Sequence, residues 1–185
     1  MLDYLKKLNP DIDFYDISDE EFGSFGRIVR NLDVSEIIEA ANRIPRPENG
    51  SAYMPSVPEF EALSISKQIE NEYFGTLPAQ IGYCHGHSNF LNATEWHSCS
   101  EINIAITPLV LILGHIWDIK DGKIDSSRFK AFYLPVGTVV EVYATTLHFC
   151  PCEVDKDGFG CVVGLTAGTN TNLETEVDNK MLFRK

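Results

Sequence analysis

Two short stretches of this chain concentrate side chains that metal ions and acid–base chemistry require. Glu95-Trp-His97-Ser-Cys-Ser-Glu101 carries a carboxylate, an imidazole and a second carboxylate. Farther on, six residues separate Glu141 from His148. A turn centred on Ala144-Thr145 would make these two direct cross-strand neighbours, with Cβ atoms roughly 4.5–5.5 Å apart on one face. That separation suits two ligands of one ion, or a carboxylate that orients an imidazole. Ala-Thr is a poor pair for a two-residue primed turn, but a four-residue loop would keep the same register. The competing reading is an exposed cross-strand Glu–His pair.

Glu95, His97, Cys99 and Glu101 share one face if their segment stays extended. A turn near Ser98-Cys-Ser100 would instead let His97 and Glu101 converge from consecutive strands. Either arrangement offers donors that suit Zn, Mn, Fe or Ni. The blander alternative leaves Glu95 and Glu101 solvated and His97 at a barrel rim. In His85-Gly-His87 the two imidazoles share a strand face, and His87 is the better candidate for lining a pocket. His115 ends an apolar strand and reads as structural or superficial. Cys150-Pro-Cys152 and Cys161 lack the C-x₂-C spacing of a zinc knuckle, which favours thiols packed as small hydrophobes. Cys84 and Cys99 lie near the candidate site. Gly-rich phosphate loops, nucleophile elbows and dinucleotide fingerprints are absent from the sequence.

The elements that must position these residues are mostly strands. From Pro78 to Ala167, short runs rich in Val, Ile, Tyr and Phe recur: 79–85, 101–106, 109–115, 131–134, 138–143, 147–152 and 159–165. Asp121-Gly122, Pro135-Val-Gly137 and Asp157-Gly158 punctuate them as turns. This spacing predicts a sandwich or barrel rather than βαβ units. Before it, Val34, Ile37, Ile38, Ala41 and Ile44 repeat at helical spacing after an Asp33/Glu36 pair that resembles a capping box, and Pro45 stops the run. Ser18-Asp-Glu-Glu21 is a weaker helix start. Residues 45–58 read as an extended loop, because each proline removes a donor. The expected organisation is one structural domain, with an N-terminal helical and extended segment (1–77) packed on a β-barrel core (78–185).

With 185 residues, 44% hydrophobic, the chain can bury a real core. Its net charge of −12 repels phosphate backbones and leaves nucleic-acid binding without support. No apolar run approaches the roughly 20 residues of a membrane span. Five cysteines and an N-terminus without a signal-peptide pattern predict reduced thiols and a cytoplasmic location.

Glu95-x-His97-x₃-Glu101, then Pro135-x-Gly137, Glu141 and His148, resembles a degenerate form of the two cupin motifs. Glu95 stands where the first motif has its first His. Glu141 falls near the position where the second motif has its His, and His148 lies on the returning strand. More closely, Gly82-Tyr-Cys, Leu91-Asn-Ala, Glu95-Trp-His97, Ser100-Glu101, Ala131-Phe-Tyr, Tyr143-Ala-Thr-Thr-Leu-His148 and Gly168-Thr-Asn look like an uncharacterised bacterial family of cupin-like fold. Its members sit among sugar-utilisation genes. The resemblance implies a mainly β, cupin-like double-stranded β-helix or jelly-roll barrel, and a homodimer is open to it.

The function this suggests is a metal-dependent enzyme on a small sugar, sugar phosphate or hydroxy acid, foremost an isomerase or epimerase. His97, Glu101 and His148 would hold a divalent Zn, Mn or Fe ion. Glu95 or Glu141 would move the proton, and His87, Trp96 and Tyr143 would contact substrate. The alternatives are a ureidoglycolate-type lyase, a non-catalytic sugar-binding or regulatory module, and a two-His, one-carboxylate oxygenase.

Overall fold

The computed structural model describes residues 1–171, so most of the polar tail expected from Thr169 lies outside the described residues. In chain order come α1 (Leu2–Leu8), β1 (Phe14–Asp16), β2 (Gly26–Val29), α2 (Ser35–Asn42), β3 (Ser51–Met54), α3 (Pro58–Glu61) and α4 (Ser64–Glu72). Then follow β4 (Ala79–Gly86), β5 (Glu101–Ala105), β6 (Leu109–His115), β7 (Lys130–Leu134), β8 (Val139–Val142), β9 (Thr146–Leu147), β10 (Cys152–Glu153) and β11 (Phe159–Thr166). None of the described helices is long and apolar enough to cross a membrane.

The strands form two sheets. In one the order is β2-β8-β5-β11-β4-β3, and in the other it is β1-β7-β6-β10, with β9 also on β6. The inner order β4-β11-β5-β8 faces β7-β6 and the interrupted strand β9/β10, which is itself extended by a bridge between Glu95 and His148. This is the strand order of a jelly roll built from two Greek keys. The chain is therefore mainly β with a cupin-like double-sheet barrel.

Alternation along the strands divides the core. Phe132, Leu134, Leu109, Leu111, Leu113, Val140, Val142, Cys161 and Val163 meet between the sheets. The opposite face of the six-stranded sheet carries Ile81, Tyr83, Ile102, Ile104, Val139 and Val162, and it packs on Ile37, Ala40 and Ala41 of α2, Phe60 of α3, and Ile65 and Ile69 of α4. On the outer face of the second sheet, Val110 and Ala131 cluster with Leu5 of α1 and Phe14.

Residues 1–77 do more than the sequence suggests: they supply β1, β2 and β3, each at the edge of a sheet. Edge strands with unpaired backbone groups invite aggregation, and these three additions cover the jelly roll's own edges. β3 lies in the segment read as a loop, and its docking depends on two glycines. A Cβ on Gly82 would stand 2.5 Å from the Met54 carbonyl oxygen, and one on Gly86, where φ is +127°, would stand 2.4 Å from that of Gly50. The helix over 33–44 forms, but Asp33 does not make the capping box. Its carboxylate accepts from the backbone N–H and the hydroxyl of Ser35 instead. The start at Ser18–Glu21 yields only a 3₁₀ turn, Glu20–Ser24, with Asp19 accepting from the Glu21 N–H.

Candidate metal centre

Glu101 begins β5, and its register partner on β8 is Val142. Both therefore point between the sheets, as does Asn103 two residues on. This places a carboxylate and an amide, each almost fully buried, inside an otherwise apolar core. Glu95 and His148 exchange both backbone hydrogen bonds, at 2.8 and 3.0 Å. That bridge carries Glu95 and His97 onto the same site. Residues 147–152, expected as one strand, break at 148–151 between β9 and β10, and the break turns His148 and Cys150 inward.

Four side chains converge. His97 Nε2 lies 3.3 Å, and His148 Nε2 3.5 Å, from Glu101 Oε2. The other Glu101 oxygen accepts from Asn103 Nδ2 at 2.8 Å. Ligand atoms of Glu95, His97 and His148 all lie within 4.8 Å of one another, so these residues could hold a metal ion. His148 Nδ1 bonds the Thr146 carbonyl at 2.9 Å, and an acceptor there requires Nδ1 to carry a proton. Nε2 is then the atom presented to the site, buried and without a hydrogen-bond partner among the described residues. A bare imidazole nitrogen facing carboxylates, with its tautomer set from behind, is what a metal ligand requires.

The charges of the cluster reinforce one another. Burial alone would raise the Glu101 pKa, but His148 and then His97 outweigh it and hold the carboxyl well below the usual range. Burial would likewise lower the His148 pKa. Glu101, the Thr146 carbonyl and Glu95 outweigh that and raise it to about 9. Both shifts favour an ionised Glu101 beside a protonated His148, and a cation bound here would displace the imidazolium proton.

The cluster opens into a cavity of about 380 Å³. Its other walls include Ser51 and Tyr53 of β3, Cys84 of β4, Cys150 and Asn170. Asn170 Nδ2 donates to the Tyr53 hydroxyl at 2.8 Å, and burial first, then Glu101, pushes the Tyr53 phenol above its ordinary value. Tyr53 and Asn103 carry no sequence signal of their own, and Asn170 appears in the sequence only as the end of the Gly168-Thr-Asn motif. Asn103 is legible only after Glu101 is placed, as its same-face neighbour.

Four sequence-predicted residues do not join this site. The hairpin expected to pair Glu141 with His148 does not form. β8 stays in the six-stranded sheet, whereas a turn closed by Thr146 N–H to the Tyr143 carbonyl (2.9 Å) passes the chain to β9 in the other sheet. Glu141 faces away from the cavity, opposite Ile102, and accepts from Arg27 Nε at 2.6 Å. Tyr143 is outside the cavity lining too, near enough to Arg27 to add to the field that raises the guanidinium pKa behind the Glu141 contribution. Trp96, between two inward residues, does not line the cavity. His87 Nδ1 instead pairs with Glu153 Oε2 at 2.6 Å. Of the other histidines, His85 stacks on Tyr83 on the helix-covered face, and His115 is sandwiched between Phe25 and Trp117.

A family model described as "Domain of unknown function (DUF4867)" matches residues 14–185. The chain belongs to that family. No curated protein matches the DUF4867 chain. Among solved structures it is similar to oxalate decarboxylase of Bacillus subtilis. One such structure, from a study of that enzyme's Mn(II) centres, is 11% identical with a TM-score of 0.37, over 52% of this chain and 24% of that one. The pH 4.6 structure gives 11% and 0.37 over 52% and 23%, and another gives 9% and 0.36 over 52% and 24%. The DUF4867 chain thus spans about a quarter of those longer chains.

Proposed function

We propose that the protein is a metal-dependent enzyme acting on a small polyhydroxylated substrate, an isomerase or epimerase of carbohydrate metabolism. The observation that carries this reading is the bare, buried His148 Nε2 facing Glu101 beside His97. Two imidazoles with hard carboxylates suit Mn, Fe or Zn better than Cu. His97 and His148 would hold the ion together with Glu101, which lies 3.3 and 3.5 Å from them and is fixed from behind by Asn103. Glu95, whose ligand atom also lies within 4.8 Å of both imidazoles, would stand at the rim of that set. When bound, the ion supplies Lewis acidity that polarises a substrate carbonyl and the hydroxyl beside it.

The chain's own groups do the rest. Glu95 is less buried than Glu101 and lines the cavity. It takes the proton from the hydroxyl-bearing carbon beside the carbonyl and returns it on the same face to the former carbonyl carbon, while the hydroxyl proton passes to the former carbonyl oxygen. The cavity, whose walls include Tyr53, Phe149 and Pro151, orients the substrate.

Mn-loaded protein incubated in D₂O with a panel of aldoses and ketoses tests the reading by NMR. Deuterium should enter at the carbon next to the carbonyl, and Glu95→Gln should abolish the exchange while Mn remains bound. Exchange unaffected by Glu95→Gln would remove Glu95 from that role. A metal-loaded protein that exchanges no member of the panel would contradict the isomerase reading.

A further inference from the structure

Cys84 and Cys150 face each other with their sulfurs 4.0 Å apart, and both line the cavity beside the metal-competent cluster. Cys84 is held in the middle of β4, paired to Tyr53 on one side and Cys161 on the other. Cys150 lies in the irregular stretch 149–151, between the Glu95–His148 bridge and β10, its sulfur 3.4 Å from the Ser51 hydroxyl. One partner is thus fixed and the other sits on a segment free of sheet hydrogen bonds.

The remaining thiols are turned to other uses. Cys161 is fully buried and donates to Asn103 Oδ1 at 3.2 Å. Cys152, though only two residues from Cys150, packs with Leu5, Phe14 and Val110 on the outer face of the second sheet. Cys99 accepts from the Thr166 hydroxyl at 3.1 Å.

We infer that Cys84 and Cys150 form a reversible disulfide that weakens metal binding at the adjoining centre. The coupling to metal rests on the metal-centre reading above. A disulfide needs sulfurs about 2.05 Å apart, so the two sulfurs must close by about 2 Å, shared between side-chain rotation and a shift of the unpaired 149–151 stretch toward β4. His148 immediately precedes that stretch, two residues before Cys150, and the bridge it forms is with Glu95, another member of the cluster. Metal–ligand distances are confined to about 0.2 Å, so even a small part of that shift, passed through Phe149 to His148 and its Glu95 bridge, would move Nε2 from its place beside Glu101.

The oxidant is a peroxide. The more accessible Cys150 sulfur, as thiolate, attacks one peroxide oxygen: an S–O bond forms, the O–O bond breaks, and the released hydroxide takes a proton to become water. Cys84, as thiolate, then attacks the sulfenic sulfur. The S–S bond forms, the S–O bond breaks, and a second water leaves with the proton from the second thiol. Two thiols and one hydrogen peroxide give one disulfide and two waters, and a dithiol reductant reverses the change by two exchange steps.

Metal-free protein treated with stoichiometric hydrogen peroxide, then titrated with Mn²⁺ beside an untreated sample, tests the inference. Treatment should lower the mass by about 2 Da, with a bridged peptide joining Cys84 to Cys150, and should weaken Mn²⁺ binding at least tenfold until dithiothreitol restores it. In Cys84→Ser and, separately, Cys150→Ser, the treated and untreated samples should give the same Mn²⁺ curve. A bridge to another cysteine, sulfinic acid in place of a bridge, or a Cys84–Cys150 bridge with undiminished Mn²⁺ affinity would overturn the inference. Failure of the metal-centre reading shows separately, as an untreated sample that binds no Mn²⁺.

Discussion

The two faces of the six-stranded sheet treat two glutamates in opposite ways. Glu101 and Glu141 sit on the paired strands β5 and β8, where Glu101 faces Val142 and Glu141 faces Ile102. One step of register separates them, and that step sends one side chain between the sheets and the other outward. Inside, Glu101 meets two imidazoles and an amide, and among the described residues no Lys or Arg pairs with it. Outside, Glu141 meets Arg27, whose side chain is 58% exposed. A buried carboxylate with imidazole partners can hold a cation, whereas one satisfied by a partly solvated guanidinium is a modest contact.

The widest separation between the faces is expected in metal affinity. Glu101→Ala should weaken Mn²⁺ binding by more than the roughly 100-fold ceiling seen for outer partners of metal ligands. Glu141→Ala should leave it unchanged within about twofold. Isothermal titration on both variants checks this, and a large loss in Glu141→Ala would break the contrast.

Next in size is Asn103→Leu, which removes the donor that orients Glu101. Its cost should be about 10- to 100-fold in Mn²⁺ affinity, with the fold retained by circular dichroism.

The two faces should also differ in pH response. The raised His148 pKa contributes stability in full below the ordinary value of 6.5, and this is lost as pH rises through about 9. The depressed Glu101 pKa contributes stability above its ordinary 4.5, lost only as pH falls through its lower folded value. Metal-free protein should therefore hold the full benefit of the pair between 4.5 and 6.5 and lose part of it toward pH 9 and above. Thermal melts in chelator should show that alkaline loss shrinking in Glu101→Gln and persisting in Glu141→Gln. The smallest effect belongs to Arg27→Ala, expected to cost less than about 1 kcal/mol in urea unfolding because its exposed guanidinium is screened.

Most of the barrel is legible in the sequence because β4 through β8 and β11 carry long period-2 or continuous apolar runs bounded by turn residues. β3 is not legible, since all four of its residues are exposed and no alternation marks it. α4 is hidden as well. Between Ser64 and Glu72 only Ile65 and Ile69 are apolar, and no side chain caps its start. At the site, Glu95, His97, Glu101 and His148 can be singled out by residue type and spacing alone. The misplacing of Glu141 comes from the turn at Tyr143–Thr146, which looks like a hairpin in sequence but is a corner between sheets. Whether Trp96 or His97 faces inward depends on the Glu95–His148 bridge, a contact between residues far apart in the chain. Tyr53 and Asn170 reach the cavity only through the docking of β3 and the end of β11, which local pattern does not encode.

The most direct test of the central claim is elemental analysis of protein reconstituted with Mn, Fe and Zn, dialysed, and compared with the double variant His97→Ala, His148→Ala. The account predicts close to one equivalent of metal in the native protein and almost none in a folded double variant. No bound metal in the native protein, or equal metal in both, would contradict it.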